Sequence, residues 1–316
     1  MRVVAGSAAL RERPVRPVVT VGSFDGIHLG HRSILDTVVA RARTLDGTPT
    51  VVTFEPHPRK VLSPERAPRL LSTREQRLEW IAESGIALTI LEPFTEEFAR
   101  TPPERFVRDY LHAGLRPVEV YVGYDFRFGR DREGSMRMLT ELGPRLGFAV
   151  TIIPEVTVEG EDVNSTRIRE LVSEGDVVRS ARLLGRPYAV RGRVVKGDQR
   201  GRSLGFPTLN LDPENELLPG PGVYAGTVRF LGDDAPDAGG WFGAVTNVGR
   251  RPTFDPGDRI VCETHVLDFS GDAYGRRVEL RFLSRLRSER RFPSAAALGK
   301  QIAEDVRVAR ERLASS

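Results

Sequence analysis

The chain has 316 residues, 40% hydrophobic and 28% charged, with a net charge of +4. That balance excludes a disordered or collagen-like chain, and at roughly 100–200 residues per domain the length suggests about two domains. Of its 47 basic residues 44 are arginine, but they are spread along the chain, offset by 43 acidic residues and never gathered into a long run, which argues against a dedicated nucleic-acid surface.

The first half alternates strand-like and helix-like segments. Pro17–Gly22 reads as a buried strand and Leu29–Leu45 as an amphipathic helix. Thr50–Phe54 is a strand, and Thr73–Ser84 a helix capped by Thr73 or Ser72. Ala87–Leu91 is a strand, and Pro103–His112 a helix with proline in its first turn. Val118–Gly123, Ser135–Leu146 and Phe148–Ile153 read as strand, helix and strand. The alternation predicts an α/β, Rossmann-like domain whose parallel sheet binds ligands at its carboxyl ends.

The pattern changes after Leu184. Tyr188–Lys196, Val223–Phe230, Trp241–Val248, Ile260–Phe269 and Arg277–Phe282 alternate as short strands between Gly/Pro/Asp-rich turns. They predict a small antiparallel β-barrel or sandwich, followed by a C-terminal helix over Ser294–Leu313. The boundary is placed near Gly185, giving domains 1–184 and 185–316.

No apolar stretch reaches the roughly 18 residues of a membrane span, and the first residues lack a charged-then-apolar leader pattern. The single cysteine, Cys262, allows no intramolecular disulfide and no cysteine-cluster zinc site. The expectation is a cytoplasmic protein with no membrane partner; a homo-oligomer stays open.

Two constellations carry chemistry. Gly22-Ser-Phe-Asp-Gly-Ile-His-Leu-Gly-His31 follows the first strand and opens the first helix. Its glycine spacing is not that of a dinucleotide fingerprint. It offers tight turns, helix N-terminal N–H groups, and His28 and His31 on one face, a setting for phosphate. Two structural loop histidines, or a His-pair metal site lacking a third ligand, read the same residues. Thr53-Phe-Glu-Pro-His-Pro58 adds an aromatic face and His57, or is a proline-rich loop. Val122–Gly129 combines Gly123, Asp125 and Arg127 with two phenylalanines. Asn164-Ser-Thr-Arg-Ile-Arg169 opens a helix, and arginines in a first turn make sense beside a phosphate chain; an ordinary cap with surface arginines is the alternative.

In the second half, Gly197, Gly201 and Gly205 form a loop able to wrap phosphates, though not a P-loop. Thr208 and Asn210, two apart, place neutral oxygens on one strand face, the donor type Mg²⁺ accepts beside phosphates and water. Val261–Phe269 places Glu263 and His265 on one face with Val261 and Leu267. A carboxylate there is a salt-bridge partner or a general base.

Together these motifs resemble the nucleotidyltransferase superfamily in the first half. More narrowly, they resemble the bacterial bifunctional riboflavin kinase/FAD synthetases across nearly the whole chain. Pro207-Thr-Leu-Asn210 is similar to that family's Pro-Thr-Ala-Asn, and Gly222–Tyr224, Asn247–Phe254, Glu263–Gly275 and Leu286–Phe292 fit in order. The chain departs at Asn164 and Leu209, where the family usually has Ser and Ala, and at Ser23, often Asn there.

The resemblance implies riboflavin, FMN, FAD and ATP as substrates and products, with Mg²⁺. It implies Glu263 as base in a C-terminal kinase, with Thr208 and Asn210 holding metal and phosphates beneath the Gly197–Gly205 loop. It implies His28 and His31 as transition-state donors in an N-terminal FMN adenylyltransferase. Gly22, Phe24, Asp25, Gly123, Asp125, Arg127, Ser165, Thr166 and Arg169 would lie at the nucleotide, and Phe54, His57 and Arg287 near flavin. Two rivals stay open: transfer to another phosphate acceptor with an accessory barrel, and a non-catalytic flavin- or RNA-binding protein.

Overall fold

The computed structural model of the chain describes residues 1–197, 205–232, 240–251 and 259–314. The chain divides into two compact units, Met1–Arg69 with Arg74–Asn164, and Leu70–Thr73 with Ser165–Ser316.

The first unit runs β1 (Arg2–Ala5), β2 (Val18–Val21), α1 (Leu29–Thr44), β3 (Pro49–Glu55), α2 (Pro58–Leu62), α3 (Arg74–Glu83) and β4 (Leu88–Pro93). It continues with α4 (Glu96–Ala99), α5 (Pro103–Arg105), β5 (Glu119–Gly123), α6 (Met136–Arg145) and β6 (Ala149–Ile153), then a short hairpin of β7 (Thr157–Val158) and β8 (Glu161–Asp162). The six long strands form one parallel sheet, ordered β1-β4-β3-β2-β5-β6.

Alternation along each strand fills both faces. Val19, Val21 and Val52 pack with Phe106, Leu111 and Leu139, while Val18 and Val51 pack with Leu35, Val38 and Ile81. Such two-sided burial is what a helix-covered parallel sheet requires. Ile34, Leu35, Val38 and Ala42 are the buried stripe of α1, and the first three contribute about 1.5–3 kcal/mol each on burial. Arg41 of α1 forks onto Glu119 of β5, Nη2–Oε1 2.6 Å and Nε–Oε2 3.1 Å, so the helix is also pinned electrostatically.

From β2 the chain moves outward through β3 and β4, then crosses to the other side of β2 for β5 and β6. The loops after β2 and β5 therefore part at the carboxyl ends, and ligands enter open sheets at such a point. β1, an edge strand with exposed Arg2 and Val3, is an addition to the sequence reading. The helix expected over Pro103–His112 is α-helical only in α5 and winds as a π-helix over Phe106–Ala113, with Phe106, Val107 and Leu111 buried.

The second unit holds α7 (Ser165–Glu174), α8 (Val177–Leu184), β9 (Tyr188–Val195), β10 (Leu209–Pro213), β11 (Gly222–Leu231), β12 (Phe242–Arg251), β13 (Arg259–Val266), β14 (Arg277–Arg287) and α9 (Ala295–Ala314). The six strands close into an antiparallel barrel, β10-β13-β12-β11-β14-β9. The sequence reading named five of these strands; β10 is the sixth and completes the ring between β13 and β9. Asp176 caps α8 by accepting the Arg179 N–H, and Gly185 ends it at φ 71°. Ser294 caps α9 in the same way through Ala297, and Val306 and Ala309 pack on Val223, Ala225 and Val245.

Candidate active sites

In the first unit the loop after β2 is tightly constrained. Gly22 donates to the Val52 carbonyl at 3.1 Å. Phe24, Gly26 and Ile27 then take positive φ of 51°, 80° and 39°. Such conformations cost about 1–3 kcal/mol each in non-glycine residues and persist only where packing over-determines them. Packing does so here: Phe24 and Ile27 are almost fully buried beneath α1. Phe24, expected at the nucleotide, sets its ring edge-on to His31 at 5.1 Å. Asp25 is buried as well.

His28 is the N-cap of α1, its Nδ1 accepting the His31 N–H at 3.3 Å. That bond leaves the ring proton on Nε2, which is thereby a donor. The two imidazoles stack at 3.7 Å, 19° from parallel, as the expectation of a shared face requires. His57 caps α2 in the same manner, its Nδ1 accepting the Arg59 N–H at 3.2 Å.

Phe54 ends β3 and belongs to an aromatic chain that the sequence reading covered only in part. Its ring meets Phe94 at 5.6 Å and Phe98 at 5.8 Å. Phe98 meets Tyr110 at 4.8 Å, Phe106 meets Phe128 at 5.6 Å, and Phe128 stacks on Phe126 at 5.5 Å. Phe94, Phe98, Tyr110 and Phe126 are only partly buried, so this apolar surface reaches solvent. Phe94, Phe98, Phe106 and Tyr110 were missed: they come from the loop after β4, from α4 and from the π-helical segment, and only the tertiary fold brings them together.

After β5, Phe126 N–H turns back to the Gly123 carbonyl at 3.1 Å, and Asp125 and Arg127 face solvent. The neighbouring Tyr124 hydroxyl donates to Glu155 at 2.5 Å, and this bond holds its phenol up at about 12. The ends of β2, β3 and β5 thus carry Gly22, Phe24, Asp25, His28, His31, Phe54, His57, Gly123, Asp125 and Arg127. In the second unit Ser165, Thr166 and Arg169 open α7, where Arg167 pairs with Glu170 at 3.0 Å.

In the barrel the register makes the site. Glu263 on β13 lies directly opposite Asn210 on β10 and opposite Asn247 on β12. Paired residues of antiparallel strands share a face with Cβ atoms about 4.5–5.5 Å apart, so the three polar side chains form one row. Cys262, Thr264 and Val266 take the opposite, buried face. Leu267, expected on the Glu263 face, lies beyond the end of the strand and is buried in the turn. Asn247 also donates to Glu289 at 3.4 Å; both lie in segments that carry the family resemblance, but neither was given a role from the sequence, because only strand pairing brings them to Glu263.

His265 Nδ1 donates to the Pro207 carbonyl at 2.8 Å and its ring meets Phe206 edge-on at 5.5 Å, which anchors the segment leading to Thr208. A Cβ at Gly197 would collide with the Asn210 amide, so a side chain there would have to displace that amide. Gly205 has φ of 83°; Gly201 lies outside the described residues. Arg287 is gripped by Asp305 of α9, Nε–Oδ1 3.0 Å and Nη2–Oδ2 2.8 Å. Full burial pushes the Cys262 thiol up to about 12, the behaviour of an inert core residue.

Thr208 and Asn210 offer neutral oxygens suited to a hard cation. Among the described residues no group of three or more His, Cys, Asp or Glu side chains is placed to hold a metal ion. Nor is any helix there long and apolar enough to cross a membrane.

A family model described as FAD synthetase matches residues 10–167, and one described as riboflavin kinase matches residues 184–313. The Escherichia coli K12 bifunctional riboflavin kinase/FMN adenylyltransferase is 36% identical over 98% of this chain and 97% of its own. The Pseudomonas fluorescens protein of the same description is 37% identical over 100% and 99%. Among solved structures, one from Streptococcus pneumoniae titled a macrolide-efflux protein superposes with a TM-score of 0.87 at 29% identity, covering 98% of each chain.

Proposed function

The chain belongs to the bifunctional riboflavin kinase/FMN adenylyltransferase family, and from that premise we propose how its residues divide the two reactions. It is a kinase and a nucleotidyltransferase in one polypeptide. The observation that carries the division is that the two family models match consecutive, non-overlapping stretches, each with its own sheet. We place the adenylyltransferase module at residues 1–184 and the kinase module at 185–316.

In the kinase half the riboflavin 5′-hydroxyl attacks the γ-phosphorus of ATP, and ADP leaves. Glu263 takes the hydroxyl proton. Asn210 and Asn247 flank it in register and orient its carboxylate. Thr208 and Asn210 would hold Mg²⁺ together with the nucleotide phosphates. When bound, the ion supplies positive charge against the phosphate oxygens. Gly197 lets the backbone pass close to the Asn210 amide. Arg287 is assigned to the flavin side, oriented by Asp305.

In the adenylyltransferase half an FMN phosphate oxygen attacks the α-phosphorus of ATP and pyrophosphate leaves. The nucleophile is already ionised, so no side chain needs to activate it. What the site must do is orient both phosphates and donate to charge building on the α-phosphate. His28 fits that task because its Nδ1 accepts from the backbone and its Nε2 carries the proton to donate; His31 stacks against it. Gly22, Asp25, Gly123, Asp125 and Arg127 are assigned to the nucleotide. Phe24 acts from beneath, through His31. Phe54, with the aromatic surface it joins, and His57 are assigned to the flavin. A cytoplasmic setting suits an enzyme that consumes ATP twice.

The test supplies purified protein with riboflavin, ATP and Mg²⁺, and separates flavins and nucleotides over time. FMN should appear before FAD, with one ADP and one pyrophosphate released per FAD. Neither FMN nor FAD formed, even with FMN supplied, would overturn the assignment in favour of another adenylyl acceptor.

A further inference from the structure

Arg77 is a buried cation outside every motif of the two candidate sites. It lies in the first turn of α3 with 3% of its surface exposed. Its Nη1 donates to the Ser23 carbonyl at 3.2 Å. Its Nη2 donates to the Phe54 carbonyl at 3.2 Å and to the Glu55 carboxylate at 2.5 Å. The Ser23 carbonyl also accepts the Thr53 hydroxyl at 3.2 Å. One guanidinium thus joins the carboxyl ends of two neighbouring strands, β2 and β3.

Each of those strand ends leads into a candidate site segment. Ser23 begins the loop that turns through Phe24, Gly26 and Ile27, all at positive φ, into His28. Phe54 and Glu55 lead into His57. A buried charge is costly, and its ionic partner, Glu55, keeps 35% of its side chain exposed. Two of its three contacts are to backbone carbonyls, at the point where each strand hands over to a candidate catalytic or flavin segment. A strained loop needs such fixed anchors to hold one geometry.

We infer that Arg77 is a positioning residue for adenylyl transfer, setting the register between the Gly22–His31 loop and the Phe54–His57 segment. The inference rests on the reading that adenylyl transfer occurs at His28 and His31. Arg77 itself touches no reacting atom; without it the two segments part by a fraction of their present spacing, and the attacking FMN phosphate and the ATP α-phosphate lose alignment.

The experiment follows FMN to FAD conversion by the full-length Arg77→Met, Arg77→Lys and Glu55→Gln variants. Riboflavin to FMN conversion by the same preparations is the internal reference. Misplacement by about 1 Å costs on the order of 100-fold, so Arg77→Met should lower kcat for FAD formation roughly 30–100-fold, with KM for ATP within about 3-fold. Arg77→Lys keeps the charge and part of the grip, so it should restore kcat to within about 3–10-fold of wild type, and Glu55→Gln to within about 3-fold. Riboflavin phosphorylation should stay within about 2-fold throughout.

A folded Arg77→Met protein whose kcat for FAD formation stays within about 2-fold of wild type, even with a lowered melting temperature, overturns the inference and leaves Arg77 a stabilising residue only. If Arg77→Met does not fold, Arg77→Lys decides: a native melt with kcat down at least about 3-fold supports the inference, and unchanged kcat overturns it. His28→Ala runs alongside. If it forms FAD at the wild-type rate, the site reading itself fails, a result distinct from a failure of Arg77.

Discussion

Replacing Glu279 with glutamine tests the reasoning about the barrel. Arg191 on β9 and Glu279 on β14 are opposite each other in register, and both side chains are 4% exposed. Their contacts are Nε–Oε2 2.8 Å and Nη2–Oε2 2.7 Å. Arg229 and Arg281 approach the same carboxylate at 3.6 and 3.4 Å. Glu279→Gln sets a neutral amide against one buried arginine and two more facing it. Breaking a buried pair from one side costs about 3–5 kcal/mol. For a unit of this size, at about 2–4 °C per kcal/mol, the barrel's melting temperature should fall roughly 6–20 °C. The Arg191→Met/Glu279→Met double variant removes both buried charges of the pair and should cost less than the single change. Calorimetry on the full chain measures both, with FAD formation from supplied FMN as a report on the other unit, which should be unaffected below the melt. A Glu279→Gln cost under about 1 kcal/mol, or a double variant less stable than the single, would refute the argument.

Three further outcomes rest on particular contacts. Gly197→Ala puts a Cβ into the Asn210 amide and should slow riboflavin phosphorylation at least about 10-fold while FAD formation from FMN is unchanged, read by flavin chromatography. The hydrogen bond from Arg41 holds the Glu119 carboxyl below its ordinary range, so the pair's stabilisation is full above the unfolded carboxylate value and is lost as pH falls through the lower folded one. Melting temperatures of wild type and Glu119→Gln, measured from pH 6 down to about 3, should therefore converge toward the acid end. The buried Cys262 thiol should resist a thiol reagent in the native protein and react once the chain is unfolded, a contrast that absorbance follows directly.

Much of this architecture was legible because local signals agreed with one another. A buried Val-rich strand, a glycine-framed turn and an amphipathic pattern over Leu29–Leu45 all pointed to β2 and α1, and they were found there. The C-terminal helix carried both its cap, Ser294, and its apolar face. What escaped had weaker local grammar. β10 reads Leu-Asn-Leu-Asp-Pro, poor in strand formers and ended by proline, and it forms because β9 and β13 pair with it on both sides. α8 had signals that pass unnoticed in so short a helix, Asp176 before it and Gly185 after it.

The site divided in the same way. His28 and His31 sit three apart in sequence, so their contact follows from helix geometry, and the stacking at 3.7 Å bears it out. The Asn210–Glu263–Asn247 row depends on the pairing register of β10, β12 and β13, which composition and spacing do not encode. Phe24, an aromatic inside a ligand motif, is buried under α1 with its ring edge against His31. Arg77, in an ordinary amphipathic helix, gives no sign in sequence of the carbonyls it holds.

The most direct test of two sites in one chain is to separate them by substitution and recombine them. Full-length Glu263→Ala and His28→Ala proteins would each receive riboflavin, ATP and Mg²⁺, alone and mixed. His28→Ala should stop at FMN. Glu263→Ala should leave riboflavin largely unchanged yet convert supplied FMN to FAD, and the mixture should carry riboflavin through to FAD. A single substitution that removes both conversions, or a Glu263→Ala protein that phosphorylates riboflavin at the wild-type rate, would contradict the account.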